Sequence, residues 1–311
     1  MASALLMCRS PFQAMLAGHV LRQEGVDQYD LLYFTHSASA EDKRYFAQLS
    51  DKASLTELVH VAPQRANVAT SALFHWRSRA WQRDWRHDLV ILSSIDDLTF
   101  SSIVRRQTSS ALVTFDDGMS NILSTAIYKT DRFQGRGEVY RQLFGAYRMA
   151  DIRRRIARHY TIYPQFENIV EPARLRTVEG TGTLASASGE AGPAFFIGQP
   201  FREAMSETDL ERLHRFLKGR RFDFYVRHPR ERTTLDLGAP ELDKAGRIAE
   251  EAILATSNGR KPTVVGWHSN VMFNLPQQLA NKELLIFHGA ANAAELERLA
   301  QATGCSVTVV P

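Results

Sequence analysis

The sequence predicts an α/β fold built from two Rossmann-like domains that face each other across a cleft. Three observations carry this reading. Short apolar runs alternate with helical stretches along the chain, the mark of parallel sheets covered by helices. A stretch rich in Gly, Ser, Ala and Thr, residues 177–193, has no apolar period and reads as a linker between domains at 1–176 and 194–311. The 311 residues, 44% of them hydrophobic, are enough for two cores.

The elements of the first domain follow in order. Residues 4–8 form a buried strand broken at Arg9-Ser10-Pro11, and a helix runs from 12 to about 23. Ser10 suits its N-cap and Pro11 its first position, an arrangement that favours anions. Further strands are expected at 31–35, 58–61, 89–92 and 112–115, with a helix at 41–49. Phe74-His75-Trp76 with Trp81 and Trp85 suggests either core packing or a face that stacks on sugars. A helix is expected over 140–156, ending in Arg153-Arg154-Arg155 with Arg158. Those arginines are either a solvated face or a surface for an anionic membrane. Residues 159–163 suit a last strand.

In the second domain, strands are expected at 194–197, 222–226, 263–266, 284–287 and 307–309. Helices are expected at 207–217, 244–255, 269–279 and 293–300. Ser269 or Asn270 caps the third of these.

Charge and cysteine content narrow the function classes. A net charge of +4 suits an anionic substrate or membrane surface and is too weak to indicate nucleic acid. Cys8 and Cys305 are the only cysteines, so neither a disulfide framework nor a zinc site is expected. The N-terminus lacks a basic leader, and no window approaches a spanning helix, so a cytoplasmic protein is expected.

Three polar constellations fall at strand ends, where open α/β sheets bind ligands. Asp116-Asp117-Gly118 is a metal or general-base pair, or an ordinary Asp-Gly turn. Arg227-His228-Pro229-Arg230 joins a proton carrier to cations suited to a phosphate, or is a surface turn. Trp267-His268-Ser269-Asn270 offers a hydroxyl, an amide and backbone N–H groups, or simple capping. Gly198-Gln199-Pro200 is a turn that ends a strand.

With these motifs in this order, the chain resembles bacterial sialyltransferases of glycosyltransferase family 52, and more distantly families 38 and 80. The acid-acid-Gly motif stands at Asp116-Asp117-Gly118, His-Pro at His228-Pro229, and the Ser-Ser/Thr motif at Ser269-Asn270, where an amide replaces the second hydroxyl. Ser10-Pro11-Phe12-Gln13 resembles the family's opening, and Glu251-Ala252-Ile253-Leu254 its acidic-aliphatic segment.

The resemblance implies a GT-B fold and inverting, metal-independent transfer of sialic acid, or a related nonulosonic acid, from its CMP donor to a sugar hydroxyl. It implies no cofactor. Asp116 or Asp117 would be the base, with a lean to Asp116, and His228 would protonate or hydrogen-bond the leaving phosphate. Ser10, Gly198, Gln199, Arg227, Pro229, Glu251, Ser269 and Asn270 would bind substrate, with Glu251 on the ribose. The implied acceptor is a terminal galactose of a bacterial surface glycan, lipooligosaccharide or capsule, in some cases lipid-linked. Contact with the inner face of the cytoplasmic membrane and a homodimer are further expectations. The competing readings are a metal-dependent phosphoesterase using Asp116, Asp117 and His228, and a non-enzymatic binder of anionic glycolipid.

Overall fold

The structure, a computed structural model, describes residues 3–60, 87–126, 128–130, 136–179, 188–232, 234–287 and 292–311. Phe74, His75, Trp76, Trp81 and Trp85 lie outside the described residues, as does 180–187 of the expected linker. The chain divides into two compact units, Met1–Thr181 and Gly182–Pro311.

The first unit carries a seven-stranded sheet in the order β3-β2-β1-β4-β5-β6-β7, with every neighbouring pair parallel. Its strands are β1 (Ala4–Cys8), β2 (Tyr29–Thr35), β3 (Ala53–His60), β4 (Leu89–Leu92), β5 (Ala111–Phe115), β6 (Ile156–Thr161) and β7 (Leu175–Thr177). β1, β4 and β5 are apolar and almost entirely buried, as strands covered on both faces must be. Strand order reverses between β1 and β4, which makes their carboxyl ends the natural place for a ligand. Helix α1 (Pro11–Gln23) starts there, with Ser10 as N-cap accepting from the Gln13 N–H and Pro11 at its first position. Helix α2 (Ala40–Ser50) follows behind a capping box of Ser39 and Asp42. Helix α3 (Leu98–Arg106) is one the apolar pattern did not announce; Asp97 caps it by accepting from the N–H groups of Thr99 and Phe100.

The single helix expected over 140–156 is two, α4 (Arg136–Leu143) and α5 (Met149–Arg155). Gly145 takes a left-handed conformation at φ +62°, which stops the first. The basic run is correspondingly divided in its work. Arg155 donates to the carbonyls of Val104 and Gln107 and lies over the Tyr147 ring, while Arg158 makes a two-point ion pair with Glu24. Arg153 is half-buried and Arg154 exposed, with Arg154 paired to Asp151.

The second unit carries a five-stranded parallel sheet in the order β12-β11-β10-β8-β9. These are β8 (Ser188–Ile197), β9 (Phe224–Val226), β10 (Arg260–Trp267), β11 (Asn281–Phe287) and β12 (Cys305–Val310). β8 begins at Ser188 and β7 runs through Thr177, so both described ends of the expected linker belong to strands. Helices α6 (Phe201–Ala204), α7 (Glu207–Leu217), α8 (Ala249–Ser257), α9 (Asn270–Asn274) and α10 (Ala293–Ala302) complete the unit. The helix expected from 244 starts only at Ala249, because Ala245 and Gly246 adopt positive φ. The helix expected over 269–279 is one turn, because Pro276 disfavours helix at Leu275, whose ψ is 124°.

Candidate active site

The two adjacent acids at the end of β5 point opposite ways, as side chains of extended chain do. Asp116 turns into the sheet and is 0% exposed. The His159 Nε2–H donates to its Oδ1 at 3.0 Å, and the Thr161 hydroxyl and Ile162 N–H donate to its Oδ2, both at 2.7 Å. Its carboxylate therefore ties the end of β5 to β6. The lean to Asp116 as the reacting acid does not fit this geometry, since both oxygens are engaged and none is accessible.

Asp117 is half-buried on the other side. Gln13 Nε2 donates to its Oδ1 at 2.8 Å and the Tyr128 hydroxyl to its Oδ2 at 2.6 Å. Its own N–H donates to Asn121 Oδ1 at 2.6 Å, and Gly118 beyond it takes φ +58°, a conformation that favours glycine. Arg9, at the end of β1, pairs with Asp97 Oδ2 at 3.2 Å. Burial opposes the Arg9 charge, but Asp97, Asp96 and Asp117 outweigh it and raise its pKa. Asp96 is pushed up, first by burial and then by the charge of Asp117. Tyr128 is pushed well above 10 by burial and by both carboxylates, so its phenol remains a donor.

In the second unit, His228 opens a tight turn after β9. The Glu231 N–H donates to the His228 carbonyl at 2.9 Å, with Pro229 at the second position of the turn. Glu231 is buried beneath it. It accepts from the Tyr225 hydroxyl at 2.5 Å and from the His228 N–H at 3.2 Å, and burial raises its pKa. Gly198 admits this arrangement, because a Cβ there would lie 2.3 Å from Glu231 Oε2 and 2.6 Å from the Tyr225 ring. The close approach at Gly198 is thus made by the protein's own side chains.

The Arg230 N–H donates to His228 Nδ1 at 3.1 Å. A neutral ring with Nδ1 accepting must carry its hydrogen on Nε2. Burial, then the charges of Arg230 and Lys244, lower the imidazole to about 4. His228 is therefore neutral near pH 7 in the free protein and presents an Nε2–H donor in a cationic setting. Arg227 donates to the Glu231 carbonyl and lies 3.7 Å from Glu241, so it braces the turn.

Ser269, buried at the end of β10, caps α9 by accepting from the Val271 N–H at 3.4 Å, and Asn270 is exposed beside it. His268 before them sits at φ +37°. With one helical turn behind it, this corner offers side-chain and local N–H donors and little helix dipole. In the first turn of α8, Glu250 accepts from Asn274 Nδ2 at 2.7 Å, and burial raises its pKa. Glu251, next to it, is half-buried. Ser10 is committed to capping α1, and Gln199 is half-buried between Gly198 and Pro200. Among the described residues, no three His, Cys, Asp or Glu side chains form a set that could hold a metal ion.

The family model of glycosyltransferase family 52 matches residues 34–288, from β2 through the described end of β11. The chain belongs to glycosyltransferase family 52. Two curated relatives match nearly end to end. An N-acetyllactosaminide alpha-2,3-sialyltransferase of Haemophilus influenzae is 21% identical over 273 residues, covering 87% of this chain and 88% of that one. A CMP-N-acetylneuraminate:beta-galactoside alpha-2,3-sialyltransferase of Pasteurella multocida is 25% identical over 290 residues, covering 90% of each. Among solved structures, an alpha/beta-galactoside alpha-2,3-sialyltransferase from the luminous marine bacterium Photobacterium phosphoreum superposes with a TM-score of 0.56 at 12% identity, covering 98% of both chains. At that identity the likeness is one of fold, and the fold of this family 52 glycosyltransferase is GT-B.

Asp96, Asp97, Tyr128 and Glu231 are among the residues of these sites that were not singled out from sequence. Asp96, Asp97 and Tyr128 come from connecting segments without a periodic pattern. Glu231 sits three residues after His228, the spacing of a turn that closes on itself, and that spacing is the signal that would have found it.

Proposed function

We propose that this glycosyltransferase moves sialic acid, or a related nonulosonic acid, from its CMP donor to a galactose-type hydroxyl, with inversion. The near end-to-end match to two named sialyltransferases carries the reading. The acceptor oxygen attacks the anomeric carbon, the bond from that carbon to the CMP phosphate oxygen breaks, and the acceptor's proton passes to Asp117. Asp117 is preferred to Asp116 because its carboxylate is reachable. The His228 Nε2–H donates to the departing phosphate as charge grows there, and Ser269 and Asn270 add donors. An arriving phosphate would favour protonation of His228, reversing the effect of the neighbouring cations. Glu251 accepts from the ribose hydroxyls, while Gly198, Gln199, Pro229 and Arg227 shape the donor side.

No metal is assigned a step, because these donors suffice for a monophosphate leaving group. A terminal galactose of a bacterial surface glycan is the acceptor in this reading. Contact with an anionic membrane around a lipid-linked acceptor would fall to Arg153 and Arg154, since Arg155 and Arg158 are engaged internally. Among the described residues, no helix is long and apolar enough to cross a membrane.

The test is transfer from CMP-sialic acid to a β-galactoside, with and without EDTA, beside CMP titration by calorimetry. EDTA-insensitive transfer and selective CMP binding are expected. Absence of transfer together with absence of CMP binding would overturn the reading.

A further inference from the structure

Asp117 is a fixed group, and the two residues that fix it come from distant parts of the chain. Gln13 is 2% exposed, at the third helical position of α1. The Arg9 N–H donates to Gln13 Oε1 at 2.7 Å, while Nε2 donates to Ser94 Oγ and to Asp117 Oδ1, each at 2.8 Å. A backbone N–H only donates and a carboxylate only accepts, so the amide has one possible orientation. Tyr128, 1% exposed, donates to the other oxygen. Its phenol also meets the Asp96 carboxyl.

We propose that Gln13 and Tyr128 are positioning residues for Asp117, clamping one carboxylate oxygen each so that its remaining lone pairs face the attacking hydroxyl. The charged and titratable groups acting on Asp117 are Arg9, Asp96 and Tyr128, with Asp97 balancing Arg9. The two clamping donors, the Gln13 amide and the Tyr128 phenol, are neutral. They stabilise the anion without forming an ion pair that would hold it away from a substrate.

The inference rests on Asp117 as the base, and the experiment separates the two. Gln13→Glu is isosteric, keeps an acceptor for the Arg9 N–H and replaces a donor to Asp117 by a second carboxylate. Two acids at hydrogen-bond distance share a proton. The acidic limb of the kcat/KM–pH profile should therefore move up by about one pH unit or more, with the rate lost mainly on the acidic side of the profile. CMP affinity should be unchanged. Tyr128→Phe should shift the limb in the same direction by less. It carries the test alone if Gln13→Glu does not fold, and failure of both to fold would make the role purely structural and overturn the proposal. An unmoved limb in the variants, with Asp117→Asn inactive, overturns the clamp and leaves the base in place. A fully active Asp117→Asn overturns both.

Discussion

The Arg230 N–H reaches back 3.1 Å to His228 Nδ1, and this one hydrogen bond decides what the other ring nitrogen offers a ligand. With Nδ1 occupied, the neutral ring is an Nε2–H donor. His228→Ala should lower turnover by about 10²–10³-fold, the loss typical of one preorganised donor to a developing oxyanion. His228→Gln, whose amide also carries an N–H, should recover part of that loss. Equal turnover for the two variants would mean that the donor is not what matters. Stability gives a second readout. As pH falls, the unfolded chain protonates this histidine near 6.5, whereas the folded protein resists until about 4. Its contribution to pH dependence is therefore absent above 6.5, grows unfavourable from 6.5 down to 4 and levels off below. Urea unfolding at pH 7 and pH 5 should show a larger loss for the wild type than for His228→Gln.

Asp116 and Asp117 should separate cleanly when each is changed. Asp117→Asn is expected to fold normally and to lose about 10²–10⁴-fold in turnover as a missing base. Asp116→Ala leaves the Ile162 N–H, the Thr161 O–H and the His159 Nε2–H without their acceptor, and should cost about 2–5 kcal/mol of stability. Asp116→Asn is milder, because His159 can turn its tautomer, accepting the new amide at Nε2 and donating from Nδ1 to Thr114 Oγ1. It should retain most of its turnover. Thermal melts and initial rates on the three variants check this, and an inactive but fully stable Asp116→Asn would move the base to Asp116.

Much of this site was legible as punctuation. The apolar runs ending at Cys8, Leu92, Phe115 and Val226 gave the strand ends, and Ser10 with Pro11 gave the start of α1, because burial and capping are local facts. Which acid faces the substrate was not legible. It depends on strand phase: Thr114 and Asp116 share the side that meets His159, and only the pairing of β5 with β6 fixes that. The stop at Gly145 was passed over because basic residues continue the helical pattern on both sides of it. Asp96 and Tyr128 carry no periodic signal, since loops set their place beside Asp117 and their meaning comes from burial.

Gly198 should not tolerate a methyl group. Glu231 and Tyr225 occupy the space a Cβ needs, and they support the turn that aims His228. Gly198→Ala is expected to cost about 1–3 kcal/mol through overpacking and to weaken CMP binding by displacing the turn. Denaturant unfolding and calorimetry measure the two effects. A stable variant with lower CMP affinity would assign Gly198 to the ligand rather than to internal packing.

Glu250 and Glu251 are neighbours in the first turn of α8, yet their surroundings divide them. Glu250 is held by Asn274, and burial favours its neutral form, whereas Glu251 is half-buried and has no such bond to a side chain of α9. A carboxylate accepting from two ribose hydroxyls forms charge-assisted hydrogen bonds, and losing the charge should weaken CMP binding by about tenfold or more. Glu251→Gln is therefore expected to bind CMP less tightly and to lose the preference for CMP over 2′-deoxy-CMP. Glu250→Gln can still accept from Asn274 and should keep that preference. Titrating both nucleotides into wild type and the two variants decides the matter, because only contact with the ribose makes discrimination depend on one acid. If Glu251→Gln kept the wild-type preference, the ribose would have to be held elsewhere and Glu251 would be a solvated helical acid.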